Sequence, residues 1–194
     1  IKEAKNYKNT VLGAFRDVAE GVIFEYEIGD FNPDNLSLVY GMDFGFNDPT
    51  TCIAVAIDNK KKIVYAKEIF YKSGVLAEEV YKQVHKQIGN SLVLGDAAKA
   101  DDISRLYNMG LNIEKCFKGG GLDGASILAG IKAIKDFDLV IDKDSLNLIN
   151  ELNNYCWDIR KVETPSDKYN HAIDALRYVV YDNDLNTTAT LCIS

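Results

Sequence analysis

The stretch Leu38-Val39-Tyr40-Gly41-Met42-Asp43-Phe44-Gly45 decides the fold. From Leu38 to Phe44 it is mostly apolar, as in a strand buried on both faces, yet it carries one carboxylate in its interior. Downstream, Thr50–Asp58 (TTCIAVAID) is β-branched and apolar, Asp58-Asn59-Lys60 makes a turn, and Ile63–Tyr71 (IVYAKEIFY) alternates. Three antiparallel strands are predicted. The period then changes: Leu76, Val80, Val84 and Ile88 recur every four residues, marking an amphipathic helix that stops before Gly89-Asn90. Short strands are expected at Ser91–Gly95, Leu111–Phe117 and Leu139–Ile141. Helices are expected at Asp101–Met109, around Ile127, Ile131 and Ile134, and at Ser145–Tyr155. Thr164-Pro165-Ser166-Asp167 has the form of a helix start, with Ile173, Leu176 and Val180 as the apolar stripe that follows. This order predicts an α/β domain: a mixed sheet, three antiparallel strands then parallel ones, with helices on both faces.

At 194 residues and 21.6 kDa the chain is the size of one domain with a sizeable core. Its 47% hydrophobic and 26% charged content is that of a globular protein. No apolar run nears the ~18 residues of a membrane helix and no signal segment opens the chain, which argues against membrane insertion and secretion. Lys+Arg 22 against Asp+Glu 29 leaves a net charge of −7. That disfavours purely electrostatic binding of nucleic acid, but not an enzyme that holds DNA through metal ions and local basic patches. Cys52, Cys116, Cys156 and Cys192 form no CxxC pair and read as reduced thiols. The chain opens on Ile1 rather than Met, so a fragment of a longer protein is expected, and Gly29–Asn35 is dense in turn formers. Residues 1–36 are accordingly expected to be the end of a preceding unit and a linker. Residues 184–194 are expected to form a tail.

Three aspartates fall where this order of elements brings them together. Asp43 lies in the first strand, where a buried charge costs several kcal/mol unless it is paired or binds a cation. Asp96 ends the fourth strand, directly after Leu92-Val93-Leu94-Gly95. Open α/β sheets place ligands beyond the carboxyl ends of parallel strands, which would set Asp43 and Asp96 side by side. Asp174 follows His171 by three residues, so both share one face of the closing helix. Three carboxylates and an imidazole repel without cations, and hard Mg²⁺ or Mn²⁺ prefers such oxygen ligands. Two such ions roughly 3.5–4 Å apart activate water and stabilise a departing oxygen, so metal-dependent phosphodiester hydrolysis is the expected chemistry. Plainer readings stay open at this point: each aspartate as a turn or cap residue, Asp174 paired with Arg177 or Lys168 on its own helix, and His171 as a surface histidine.

These motifs carry a resemblance. Leu12-Gly13 and Glu20-Gly21-Val22-Ile23-Phe24, Gly41-Met42-Asp43-Phe44-Gly45 with Asp48-Pro49-Thr50, Asp96-Ala97-Ala98 with Ile103 and Gly110, Lys118 with Ser126 and Gly130-Ile131, Glu151-Leu152 with Tyr155 and Trp157, and above all Asn170-His171-Ala172-Ile173-Asp174-Ala175-Leu176-Arg177-Tyr178 occur in order. Together they resemble the C-terminal nuclease domain of the large terminase subunit of tailed bacteriophages and prophages. The resemblance implies an RNase H-like fold over residues 37–183, following the end of an ATPase domain. It implies an endonuclease that cuts concatemeric viral DNA during packaging in the cytoplasm of the bacterial host. Asp43, Asp96 and Asp174 are implied as metal ligands and catalytic residues, with Asp43 shared between two ions, and His171 as a further ligand or acid–base helper. Manganese is expected to serve better than magnesium, whose octahedral geometry is stricter. Lys118, Gly119 and Gly120 are implied as a contact to the DNA backbone, a plain surface turn being the alternative. Implied partners are double-stranded DNA, the small terminase subunit and the portal protein. Lys99 and Ala100 stand where many relatives carry an acidic residue and a proline, and no GxxxxGK[ST] loop is present, so the ATPase motor is missing from this chain. The alternatives are another RNase H-like nuclease, of the resolvase or transposase type, and an actin-like phosphotransferase fragment. The latter would need a second phosphate-binding turn.

Overall fold

The structure is a computed structural model that describes residues 19–33, 35–116, 123–158, 161 and 164–191. A seven-stranded sheet runs in the order β1-β7-β4-β3-β2-β5-β6. Its centre is the predicted meander: β2 (Leu38–Asp43), β3 (Thr50–Asp58) and β4 (Ile63–Lys72), paired antiparallel. To one side β5 (Val93–Gly95) and β6 (Ile113–Lys115) add parallel to β2. To the other, β7 (Asp138–Asp142) adds parallel to β4 and β1 (Glu27–Gly29) parallel to β7. The expected mixed sheet is thus present, with parallel strands on both flanks.

Strand alternation sorts side chains into two cores, one per face. On one face, Tyr40, Met42, Cys52 and Ala54 meet α1 (Ala77–Ile88), through Val80, Val84 and Ile88, and α2 (Ala100–Asn108), through Ile103 and Leu106. On the other, Ile53, Val55, Val64 and Ile141 pack under α3 (Asp123–Lys135), α4 (Leu146–Asn154) and α5 (His171–Leu191). Helix α5 lies across β2 and β3 and buries Ile173, Leu176 and Val180, the predicted stripe. Gly41 makes this approach possible: a Cβ there would sit 1.8 Å from the Ala175 carbonyl oxygen. Cys52, Cys116 and Cys156 are free thiols.

Three expectations change. Within the segment set apart as 1–36, Ile23 and Phe24 are buried in the core and Glu27–Gly29 is a strand, because β7 offers an open edge to pair with. The closing helix begins at His171 and not near Thr164, since Pro165 instead bridges to Trp157 and Tyr169 adopts φ 59°. The same helix runs on to Leu191, through the residues set apart as a tail, with no glycine or proline after His171 to end it. Among the described residues no helix is long and apolar enough to cross a membrane.

Candidate active site

The site is built where β2 and β5 end. Parallel pairing sets Met42 beside Gly95, and the Asp96 N–H donates to the Met42 carbonyl at 3.3 Å, so Asp43 and Asp96 leave adjacent strands at one level. Gly41 and Asp43 share the face of β2 that meets α5, whose first turn carries His171 and Asp174. The start of that helix is fixed by Thr51, opposite Asp43 on β3, whose hydroxyl donates to the His171 carbonyl at 3.1 Å.

Asp43, 9% exposed, is held at both oxygens. His171 Nδ1 lies 3.1 Å from Oδ2, and the Tyr178 hydroxyl donates to Oδ1 at 3.1 Å. The carboxylate accepts, so Nδ1 carries the proton and the Nε2 side is turned toward Asp48, 3.9 Å away. The hydrogen bond to Asp43 raises the His171 pKa above its ordinary value, against the opposing effect of burial. Asp174 is held from the other side, its Oδ1 accepting from Arg177 Nε at 3.1 Å and Nη2 at 3.0 Å. Burial raises the Asp174 pKa despite the lowering by Arg177, and the charge of Asp43 raises it further. Arg177 reaches it by passing Gly130 of α3, where a Cβ would lie 2.5 Å from the Arg177 Cγ. Asp96 Oδ1 accepts from the Ala98 N–H at 3.0 Å in the turn that leaves β5.

Burial, then the charges of Asp43, Asp174 and Asp96, raise the Tyr178 pKa far above the usual tyrosine range, and of the three acids Asp43 accepts the hydroxyl's hydrogen bond. The three acids come from separate elements: β2, the turn after β5, and α5. Among the described residues they are not closed into a ready-made cage of three or more acidic, cysteine or histidine groups. Like charges instead each take a protein donor. The donor chemistry nonetheless fits a hard cation through its carboxylate oxygens, and next to Asp174 the Asn170 amide turns Nδ2 to Asp174 Oδ2 at 3.5 Å and leaves its buried Oδ1 without a hydrogen-bond partner.

Sequence reasoning thus places Asp43, Asp96, His171 and Asp174 at one end of the sheet, and the plainer pairing of Asp174 with Arg177 is also made. Lys118, Gly119 and Gly120 lie outside the described residues. Thr51 was missed, and Glu151 and Tyr178 were read as parts of motifs without a role at the site. Only Tyr178 had a local signal, four residues after Asp174 and so on its face of the helix.

A mixed sheet of three antiparallel strands flanked by parallel ones, with acids at the ends of β2 and β5 and on the closing helix, is the arrangement of an RNase H-like domain. The family described as "Terminase RNAseH like domain" matches residues 43–182, and the chain belongs to it. In fold it is similar to the g2p large terminase nuclease domain of bacteriophage SPP1 with bound Mn, at TM-score 0.71 and 24% identity over 84% of this chain and 99% of that one. It is also similar to the large terminase nuclease of thermophilic phage G20c with bound magnesium, at TM-score 0.56 and 14% identity over 84% of this chain and 97% of that one. The large terminase of a further thermophilic bacteriophage, in complex with ADP, matches at TM-score 0.66 and 22% identity over 93% of this chain, which spans 51% of that longer one. No curated protein sequence matches.

Proposed function

We propose that this chain is the nuclease domain of a phage or prophage large terminase, an endonuclease that cuts concatemeric DNA during packaging in the host cytoplasm. The observation that carries the reading is that Asp43 and Asp96 leave the adjoining ends of β2 and β5 while the first turn of α5 sets His171 against Asp43 and carries Asp174. Those three acids and His171 would hold Mg²⁺ or Mn²⁺, most simply as a pair of ions. Bound there, the ions would supply Lewis acidity toward a phosphodiester and its leaving oxygen. Asp43 is oriented for this by donors on both of its oxygens, and Arg177 holds Asp174 in place, its charge opposing the rise in pKa that burial causes. His171, its Nδ1 committed to Asp43, has Nε2 alone, on the side of exposed Asp48, either to hold an ion or to exchange a proton. The manganese and magnesium in the SPP1 and G20c structures support the choice of cation. The likeness to the longer, ADP-bound terminase supports an ATPase domain as neighbour in a full-length protein. DNA, a small subunit and a portal would be its partners there.

Nicking of supercoiled plasmid with Mn²⁺, Mg²⁺ or EDTA tests this. Cutting is expected with either metal, none with EDTA, and a loss of at least roughly 100-fold in Asp43→Ala and in Asp174→Ala. Metal-dependent cutting that survives both substitutions would overturn the assignment.

A further inference from the structure

We propose that Glu151 is a positioning residue for this edge: from α4 it fastens the first turn of α5, and cation binding by His171 and Asp174 depends on that hold. The inference rests on reading the edge as a cation site. Glu151 is 1% exposed, a burial that a charged side chain rarely shows without a partner. Its hydrogen-bond partners are not cations. Oε2 accepts from the Ala172 and Ile173 N–H groups at 2.8 and 3.1 Å, and Oε1 accepts from the Tyr71 hydroxyl at 2.9 Å.

The first amides of a helix have no partner within it and are normally met by the side chain just before it. Asn170 occupies that place and is among the best residues for the task. It does not perform it: Glu151 has taken the amides, and Asn170 turns its Nδ2 to Asp174 and leaves Oδ1 buried without a partner. A local cap has been exchanged for a distant buried carboxylate, and the side chain so released faces a proposed ligand. The two amides that Glu151 holds, Ala172 and Ile173, lie between His171 and Asp174 in the chain. Moving them moves both residues against Asp43. Reach, more than charge, is therefore the property required of residue 151.

Two substitutions separate reach from charge. Glu151→Gln keeps an oxygen at the same distance and loses the charge; Glu151→Asp keeps the charge and falls one methylene short. Mn²⁺ binding is followed by the electron paramagnetic resonance of free Mn²⁺, with a urea titration on each protein to fix its folded fraction. We expect Glu151→Asp to weaken Mn²⁺ at least roughly tenfold, the loss typical when support behind a ligand is removed, and Glu151→Gln to stay within about threefold of wild type. Unchanged affinity of the folded fraction in Glu151→Asp would make Glu151 a fold-stabilising residue only and overturn the inference. Wild type that binds no Mn²⁺ would overturn the cation site itself, and the inference with it. Asp174→Ala, expected to lose binding, marks that case.

Discussion

Replacing Gly41 by alanine tests the packing on which the site depends. The added Cβ would lie 1.8 Å from the Ala175 carbonyl oxygen and 2.6 Å from its carbon, whereas such contacts essentially never fall below 3.0 Å. Strand and helix must therefore part by about 1.2 Å, and both neighbours are backbone, so no rotamer change relieves the clash. Overpacking of a core costs about 1–3 kcal/mol when side chains can yield, and here the cost should be about 3 kcal/mol or more. Against a total stability of about 5–15 kcal/mol this is large. With a urea slope of about 2 kcal/mol per molar, the unfolding midpoint should fall by about 1.5 M. The same parting takes both 3.1 Å contacts to Asp43, from His171 and Tyr178, out of hydrogen-bonding range. Gly95→Ala is the control, because its Cβ meets only side-chain atoms of Ile103 and Phe44 at 3.1–3.2 Å. It should cost about 1 kcal/mol, the low end of that range. A Gly41→Ala midpoint no lower than that of Gly95→Ala would refute the reasoning.

Two further outcomes follow from the charges of the site. By NMR, metal-free His171 should titrate above its ordinary 6.5, and Asp43→Asn should bring it down. Because the folded value is raised, stability from this contact is complete below pH 6.5 and is lost as pH climbs through the raised value. A titration unmoved by Asp43→Asn would refute the assigned cause. Arg177→Met strands the Asp174 carboxylate and should cost about 3–5 kcal/mol in urea unfolding, most of it recovered by adding Asp174→Asn. Equal costs with and without the second change would show that Arg177 acts through its packing alone.

The legible parts were those written in local pattern. Alternation in Ile63–Tyr71 and the four-residue recurrence of Val80, Val84 and Ile88 each state a burial pattern that the sheet and α1 then satisfy, whereas Leu76, the first of that recurrence, stands just before the helix and is exposed. Asp43 was legible because a carboxylate is out of place in an apolar strand, and Asp96 because it ends one. What was not legible depends on partners distant in the chain. Glu27–Gly29 has no strand signature of its own and becomes one by meeting Val140–Asp142. Thr164-Pro165 carries a convincing helix start, but the start that forms is held by a residue twenty positions upstream of His171, from another helix. Gly41 and Gly130 look alike in sequence to any loop glycine; only the passage of α5 and of Arg177 across them shows why a side chain is excluded.

The segment Ala19–Ile23 is tied down in a way that gives the domain a handle. The Ala19 N–H donates to the Asn153 carbonyl and the Ile23 N–H to that of Tyr155, each at 2.9 Å, while Val22 bridges to Cys156. These anchors grip the C-terminal end of α4, within one to two turns of Glu151. In the sheet, β1 stands four strands from β2, or roughly 19 Å at the usual ~4.8 Å strand spacing. Tension applied at residue 19 therefore need not cross the sheet to be felt at the acids. The shorter route runs through α4, whose Glu151 accepts from the Ala172 and Ile173 amides in the first turn of α5.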